Sequence, residues 1–250
     1  MKIRMTVFDV AGYFAHFRKY FSTTSSLSYV FPPRTAIAGM IAGILGYDRD
    51  SYYDLFSSDV CKIALKIMNP ARRITHTLNY LMTDKPLTIK KLRGMSSPAQ
   101  IHVEILVPDG GPASRICYRL FFAHEDESLQ EELAMRIRCK KFCYPPSLGT
   151  ANFIADLNYV DTVDADLFKP DREIDIQTIV PASVVKQIFP MEDRRIFLEE
   201  LVPADFTADR LLRRKETYIY EGTGKTIRLL VDCEAFRCHL GDGEVVGVFM

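Results

Sequence analysis

Hydrophobic and polar positions follow two different periods near the start of the chain. Within Lys2–Val10, the apolar residues Ile3, Met5 and Val7 alternate with polar or smaller residues on the other face, which is the period of a β-strand. Between Arg34 and Gly46, directly after Pro32-Pro33, apolar residues recur at the three- and four-residue spacing of an amphipathic helix. Proline suits a helix start because the first turn needs no N–H donor there. These patterns predict a strand followed by a helix.

Comparable patterns predict further elements in the first 160 residues. In chain order they are a strand at Val60–Met68, a hairpin of Gln100–Val107 and Arg115–Ala123, a helix at Glu125–Lys140 and a strand at Asn152–Val160. With the hairpin counted as one step, the order is β-α-β-β-α-β, which is that of the ferredoxin-like fold and is shared by the RNA recognition motif. The segment Ala71–Ala99 has no strong periodicity, and we predict that it is an insertion.

The last third of the chain has a different pattern. Acidic residues from Asp161 onward and the break at Lys169-Pro170-Asp171 predict a domain edge. Short apolar runs without helical spacing follow, which favours a small β-rich unit. We therefore predict an α+β protein with a ferredoxin-like domain at residues 1–160, an insertion at about 71–99, and a β-rich C-terminal domain at residues 161–250.

Composition excludes several classes of protein. Of the 250 residues, 48% are hydrophobic and 26% are charged, which is typical of a globular protein and not of a disordered chain. The longest apolar run is far shorter than the ~20 residues of a membrane helix, so we expect a cytoplasmic protein without a membrane partner. The six cysteines form no Cys-x-x-Cys motif. A four-thiolate zinc site from Cys139/Cys143 and Cys233/Cys238 is the alternative to reduced thiols, and we expect no metal and no cofactor.

Basic residues are concentrated in two segments of an otherwise neutral chain. The chain has 32 Lys and Arg against 32 Asp and Glu, yet residues 12–35 hold three basic residues, seven aromatic residues and no acidic residue. Residues 71–98 hold six basic residues and one acidic residue, a local balance of +5. Cations interleaved with aromatic side chains suit single-stranded nucleic acid, because the cations hold phosphates while bases stack. The alternative is a solvated basic loop.

Two other features have candidate chemistry. His16 and His76 lie in basic, aromatic surroundings without acids, where a histidine could contact RNA or act as a general base. Gly222-Thr223-Gly224-Lys225-Thr226 contains part of a phosphate-binding loop, but Ile219 stands where that motif needs glycine, and strand-like residues follow instead of a helix. We therefore predict a hairpin turn there.

Three segments of the sequence resemble one family. Phe14–Lys19 and Tyr29–Gly46 are similar to the amino-terminal signature of the CRISPR-associated Cas-five proteins, and Tyr144–Phe153 resembles their downstream aromatic-proline-glycine segment. The resemblance implies a RAMP-superfamily subunit of a type I Cascade complex, with a thumb inserted at Ala71–Ala99. It further implies three partners: the 5′ handle of the crRNA, the Cas-seven backbone subunit and the large subunit.

The resemblance and the basic segments together define a predicted RNA-binding set. Its members are His16, Arg18, Lys19, Tyr29, Arg34, Thr35, Arg72, Arg73, His76, Lys90, Lys91 and Arg93. One branch of the family cuts precursor RNA without metal, using a tyrosine, a lysine and a histidine, and the nearest candidates here are His16, Lys19 and Tyr20. A non-catalytic RNA-binding subunit is our interpretation. A metal-independent endoribonuclease and a purely structural assembly subunit are the alternatives.

Overall fold

The computed structural model describes residues 1–23, 25–80, 88–94, 99–111, 113–241 and 243–250. The fold mixes helices with a larger share of strands. The strands are β1 (Lys2–Gly12), β2 (Phe17–Arg18), β3 (Ser28–Tyr29), β4 (Cys61–Ile67), β5 (Ala71–Tyr80), β6 (Ala99–Pro108), β7 (Ile116–His124), β8 (Asp156–Phe168), β9 (Ile174–Ile176), β10 (Val180–Pro181), β11 (Val185–Phe189), β12 (Ile196–Phe206), β13 (Leu212–Glu221), β14 (Ile227–Val231), β15 (Ala235–Leu240) and β16 (Gly243–Val248). The helices are α1 (Arg34–Leu45), α2 (Ile89–Leu92), α3 (Glu127–Arg138) and a 3₁₀ turn at Ala182–Val184.

The main sheet has the strand order β16-β15-β8-β1-β7-β4, and neighbouring strands are antiparallel. Strand β1 lies inside the sheet, and its alternation places Phe8 and Val10 in one core cluster with α1 and α3, while Met5 and Val7 enter another. Both helices therefore cover the same face of the sheet. Along the chain, β1, α1, β4, β7, α3 and β8 follow one another in the predicted order.

Local signals explain where the two long helices begin and end. Helix α1 follows Pro33 and ends at Gly46, whose φ of 90° favours glycine. A Cβ at Gly46 would also lie 2.7 Å from the Cys143 Sγ. Helix α3 is capped by the Asp126 side chain, which accepts hydrogen bonds from the backbone N–H groups of Ser128 and Leu129.

Strands β5 and β6 form a two-stranded ribbon, and this corrects the predicted hairpin. They pair in continuous register from Ala71–Pro108 to Tyr80–Ala99, whereas β7 lies between β1 and β4 in the main sheet. The two ribbon strands, Ala71–Tyr80 and Ala99–Pro108, therefore extend beyond the end of the predicted insertion. The sequence pattern did not predict strand β5, because most of its residues are exposed on both faces. The strand therefore has no alternation of buried and exposed positions. Residues 81–87 and 95–98 of the predicted insertion lie outside the described residues.

The C-terminal strands belong to three sheets. Two small sheets have the orders β10-β13-β12 and β11-β14-β9, and β15 and β16 return to the main sheet beside β8. The predicted domain edge after Asp161 is wrong in one respect, because these residues continue β8 and pair with β1. Acidic side chains on β8 alternate with buried Ala165 and Leu167, and this alternation is that of a strand. The division into two domains stays a prediction.

The described residues contain neither a membrane-spanning helix nor a candidate metal site. In this part of the chain there is no helix with the length and hydropathy that a membrane crossing needs. The same residues contain no group of three or more His, Cys, Asp or Glu side chains arranged to hold a metal ion. All six cysteines are free thiols, and burial raises the pKa of Cys61 to about 12.

Candidate nucleic-acid interface

A groove of about 700 Å³ lies beside the ribbon. One wall comes from the segment at residues 16–36, a second from the ribbon, and a third from residues 149–153. Pro203 and Phe206 of β12 complete it. We call this feature the ribbon groove. The groove brings together three parts of the chain that are far apart in the sequence. They are the basic, aromatic N-terminal segment, the predicted insertion and the family-like segment Tyr144–Phe153.

Backbone hydrogen bonds dock the ribbon onto the N-terminal segment. Ala15 and Leu106 exchange two of them, at 3.2 and 2.8 Å. Ser26 N donates to the His102 carbonyl at 2.9 Å, and Glu104 N donates to the Ser26 carbonyl at 2.9 Å. These contacts hold the base of the ribbon and the segment together as one wall.

His16 lies inside this wall and is only 5% exposed. Its Nδ1 lies 2.7 Å from the Glu104 carbonyl oxygen, and its Nε2 lies 2.9 Å from the Ser26 Oγ. A carbonyl oxygen only accepts, so Nδ1 donates and Nε2 accepts from the Ser26 hydroxyl. Burial lowers the pKa of His16, so the ring is neutral at pH 7. Both nitrogens of His16 are therefore occupied by the protein.

Gly149 allows the third wall to approach His16. Its φ is +99°, and a Cβ built there would lie 1.8 Å from the His16 carbonyl oxygen. No side chain fits at that distance. The neighbouring Leu148 carbonyl accepts a hydrogen bond from His16 N at 3.0 Å. Glycine in the Tyr144–Phe153 segment is thus required by the contact between two walls of the groove.

Exposed aromatic rings surround the groove. Tyr20 and Tyr80 line it and are 47% and 48% exposed. Phe14 is 48% exposed, and its ring centroid lies 5.7 Å from that of Phe153, which also lines the groove. Single exposed aromatic rings are common on protein surfaces, whereas several of them around one groove are typical of a binding surface. Rings in these positions can stack on unpaired bases.

The groove is also electropositive. Arg18 lines it with an exposed side chain whose Nη2 donates to the Ser22 carbonyl at 3.2 Å. No Asp or Glu is among its lining residues, all of which lie in the described part of the chain. Strand alternation places Arg72 and His76 on the same face of β5 as Leu78 and Tyr80. Both side chains are exposed, so they extend the groove along the ribbon.

Arg34 is a correction to the predicted RNA-binding set. It is 1% exposed, and its Nη1 forms an ion pair with Asp205 Oδ1 at 2.7 Å. Its guanidinium also donates to the carbonyl oxygens of Phe56 and Cys61, at 2.9 and 2.7 Å. This cation joins the start of α1 to β12 in the core and cannot reach RNA while the protein is folded.

Lys19, Tyr29 and Arg73 meet at another buried carboxylate. Glu199 is 3% exposed and forms ion pairs with Lys19 and, at 2.5 Å, with Arg73. The Lys19 ammonium lies 5.2 Å from the ring centroid of Tyr29. Tyr29 is fully buried and donates to the Leu201 carbonyl, which removes it from the predicted RNA-binding set. Glu199 pairs with both cations and offsets one of their two charges, so their contribution to RNA binding is smaller than their charges suggest.

The other predicted residues have varied positions. Thr35 is half-buried and lines the groove. Lys90 and Arg93 are exposed in and just after α2, whereas the Lys91 side chain lies outside the described residues. The candidate catalytic residues His16, Lys19 and Tyr20 have separate surroundings: a closed hydrogen-bonded site, an ion pair with Glu199 and an exposed edge of the groove.

The glycine-rich turn at residues 222–226 holds a carboxylate of the protein itself. Glu221 is 4% exposed and accepts hydrogen bonds from the backbone N–H groups of Thr223 and Lys225, both at 2.8 Å, and of Arg195 at 3.1 Å. Burial alone would raise the pKa of Glu221, but these hydrogen bonds lower it overall. Its carboxylate therefore occupies the donors that a phosphate would need. The predicted hairpin is wrong, because the turn joins β13 to β14 in a different sheet.

Both the fold and the amino-terminal sequence are similar to those of known proteins. The structure of a CRISPR protein from Archaeoglobus fulgidus matches with a TM-score of 0.56 and 16% identity, over 98% of this chain and 99% of that chain. This likeness shows a common fold. The family model described as CRISPR-associated protein (Cas_Cas5) matches residues 5–87, which run from β1 into the ribbon. The match covers the amino-terminal third of the chain and agrees with the predicted resemblance to the Cas-five family.

Other comparisons are weaker. No curated protein sequence matches the chain. A structure described as a CRISPR RNA-guided surveillance complex matches at 10% identity with a TM-score of 0.45, over 97% of this chain and 91% of that chain. A type III-B Cmr-beta structure bound to cognate target RNA matches at 13% identity with a TM-score of 0.41, over 90% and 86%. Neither likeness is close enough to support an argument about this chain.

Proposed function

We propose that this protein is a non-catalytic crRNA-binding subunit of a type I CRISPR Cascade complex, and that it caps the 5′ handle of the crRNA. The observation that carries the proposal is the ribbon groove, which combines exposed aromatic rings, an exposed arginine and a lining without carboxylates. Such a surface suits single-stranded RNA, because phosphates need cations and unpaired bases need rings to stack on. The resemblance to the Cas-five family supports the same function.

The fold is consistent with this proposal. The strands β8-β1-β7-β4, with α1 and α3 on one face, have the order of a ferredoxin-like sheet. We assign this sheet to the predicted RNA-binding domain and the β5–β6 ribbon to the predicted thumb. The family resemblance supports assembly in the cytoplasm with the Cas-seven backbone subunit and the large subunit.

The surroundings of His16 favour binding over cleavage. A general base must have a nitrogen within reach of the RNA 2′-hydroxyl, yet both ring nitrogens of His16 are engaged by Glu104 and Ser26. Lys19 is likewise held by Glu199. We therefore expect the purified protein to leave cognate repeat RNA intact, with or without EDTA. Site-specific cutting that disappears in His16→Ala would favour the endoribonuclease instead.

Binding of the handle is tested by removing rings from the groove. Tyr20→Ala combined with Tyr80→Ala should weaken binding of a 5′-handle RNA about tenfold or more, because each stacked base contributes roughly 1–3 kcal/mol. Tyr144→Ala is the matched control, since Tyr144 is 57% exposed but does not line the groove. Equal affinities of the double variant and the control would refute the proposed binding surface.

A further inference from the structure

A second cleft lies on the other side of the ribbon base. Its volume is about 730 Å³, and its lining includes Arg73 and Phe197. Arg73 lies on one face of β5, and Leu78 and Tyr80, which line the ribbon groove, lie on the opposite face. The two cavities are therefore separate. We call this one the Phe197 cleft, and the proposed binding of the handle does not use it.

An exposed aromatic ring forms part of its wall. Phe197 is 46% exposed and stacks on the buried ring of Tyr220, with centroids 5.5 Å apart and an interplanar angle of 28°. Gly222 leaves room for the edge of the ring, because a Cβ there would lie 2.7 Å from Phe197 Cε2. The ring is thus supported from behind and exposed in front, which is the arrangement of a stacking platform for a flat ligand.

Three cations beside this ring form no close ion pair in the described part of the chain, although one is near a carboxylate: the pKa of Asp175 is lowered by Arg228 and, to a smaller extent, by Arg194. Arg194, Arg195 and Lys225 line the cleft, and none of them forms an ion pair with any carboxylate of the described residues. Arg194 Nε donates to the Thr226 carbonyl at 3.0 Å, and Lys225 Nζ donates to the Asp193 carbonyl at 3.3 Å. These bonds orient the side chains without neutralising their charge.

A single buried carboxylate positions two of these cations. Glu221 accepts from the backbone N–H of Arg195 at 3.1 Å and from that of Lys225 at 2.8 Å. Two separate segments, at the start of β12 and after β13, are therefore fixed to the same group. This arrangement holds the two cationic residues on the wall that carries Phe197, so the site exists before any ligand binds.

Two carboxylates also line the cleft and lower its charge. Asp109 lies 3.8 Å from Arg72, with which it forms an ion pair. Asp193 is exposed. A carboxylate beside a stacking ring and cations is suited to ribose hydroxyls, which donate hydrogen bonds to acidic side chains in nucleotide sites. The lining therefore offers a surface for a base, acceptors for a sugar and cations for a phosphate.

We propose that the Phe197 cleft binds one nucleotide, with the base on Phe197 and the phosphate at Arg195 and Lys225. The volume lies within the range of small-molecule sites. The nucleotide is either free or an unpaired residue of an RNA strand, since both present the same base, ribose and phosphate. This inference does not depend on the ribbon groove, whose lining residues are different.

The test uses the full-length protein with AMP and, separately, with hexauridylate, the latter in a Tyr20→Ala/Tyr80→Ala background that weakens RNA binding at the ribbon groove. Phe197→Ala and the double variant Arg195→Ala with Lys225→Ala should each weaken binding about tenfold, as expected for one stacked base or two lost phosphate contacts. Leu198→Ala and Lys215→Ala are matched controls, because these exposed residues do not line the cleft. We expect changes below about twofold in both. Phe197→Tyr should retain binding, since it keeps the ring.

The outcomes distinguish a free nucleotide from an RNA residue, and the Phe197 cleft from the ribbon groove. Weakened AMP binding in the cleft variants indicates a free nucleotide, and weakened hexauridylate binding with no measurable AMP binding indicates an RNA residue. Tyr20→Ala, in the ribbon groove, should leave AMP binding unchanged, so a failed handle proposal does not affect this result. Cross-linking of 8-azido-AMP should label a peptide that contains Phe197 or Tyr220. Unchanged affinity for both probes in the cleft variants, which should melt near the wild type, would overturn the proposal.

Discussion

The ribbon groove and the β12 ion pairs use the same types of residue in opposite ways. In the groove, Arg18 is exposed and no carboxylate is among the lining residues, all of them in the described part of the chain. Along β12, Asp205 and Glu199 are buried and form ion pairs with Arg34, Lys19 and Arg73. Cations that the protein leaves without carboxylates remain available to phosphates, whereas paired and buried cations stabilise the fold. The basic N-terminal segment thus contains both exposed cations, such as Arg18, and buried paired cations, such as Arg34.

The largest expected effect is a loss of stability when the buried ion pair between Arg34 and Asp205 is removed. Arg34→Met should lower the free energy of unfolding by about 3–5 kcal/mol, because it leaves Asp205 buried with a weaker set of partners. Chemical denaturation gives the measurement. Arg213→Met is the control, since Arg213 pairs with Asp59 at 3.4 Å and both side chains are more than half exposed. Its effect should stay below about 1 kcal/mol. Similar losses in the two variants would contradict the structural role of Arg34.

The second prediction concerns the contact between Gly149 and His16, which lie on two walls of the groove. Gly149→Ala should destabilise the protein by about 3 kcal/mol, because its Cβ would collide with the His16 carbonyl and φ is positive. Gly241→Ala is the control, since a Cβ there meets no atom within 4 Å and its φ is not in the left-handed region. Thermal melting of both variants measures the difference. A Gly149→Ala protein as stable as the control would mean that the walls are not in contact.

The third prediction sharpens the comparison through the salt dependence of RNA binding. A variant with alanine at the exposed cations of the groove and ribbon should lose up to about 3 units of salt slope, at roughly 0.7 per phosphate contact. The four positions are Arg18, Arg72, Lys90 and Arg93. The control replaces four exposed cations of the C-terminal strands, namely Lys186, Arg213, Lys215 and Arg228. Equal slopes in both variants would show that the ribbon charges are only solvated.

The smallest expected effect is a change in pH dependence. Burial lowers the pKa of His16 in the folded protein, so the unfolded chain binds a proton at a pH where the folded protein does not. Stability from this residue is therefore complete above the ordinary histidine pKa of about 6.5 and declines as pH falls below it. His16→Asn should flatten the loss of stability between about pH 7 and pH 5, measured by denaturation.

The exposed His239 provides the control for this prediction. His239 has a 79% exposed side chain, and His239→Asn should keep the wild-type pH dependence. A His16→Asn variant with the same slope as wild type would place the ring in contact with water. That result would also reopen the role of His16 as a general base.

Sequence patterns were sufficient for elements whose burial repeats locally. The alternation of β1, the helical spacing of α1 after Pro33, and the capped, amphipathic α3 each depend on neighbours within a few residues. The concentration of positive charge and the resemblance of the amino-terminal third to the Cas-five family were also evident from the residues themselves. These features are local because strand and helix periods result from backbone geometry over short spans.

Tertiary structure alone decided which strands pair and which cations are free. Strand β5 has little burial of its own and pairs with β6, so its pattern contained no strand signal. Arg34 and Lys19 form ion pairs with carboxylates 171 and 180 residues away, and no sequence spacing predicts such partners. Burial of a charge depends on the whole fold, since an ion leaves water only where a distant partner and surrounding donors compensate for its lost hydration.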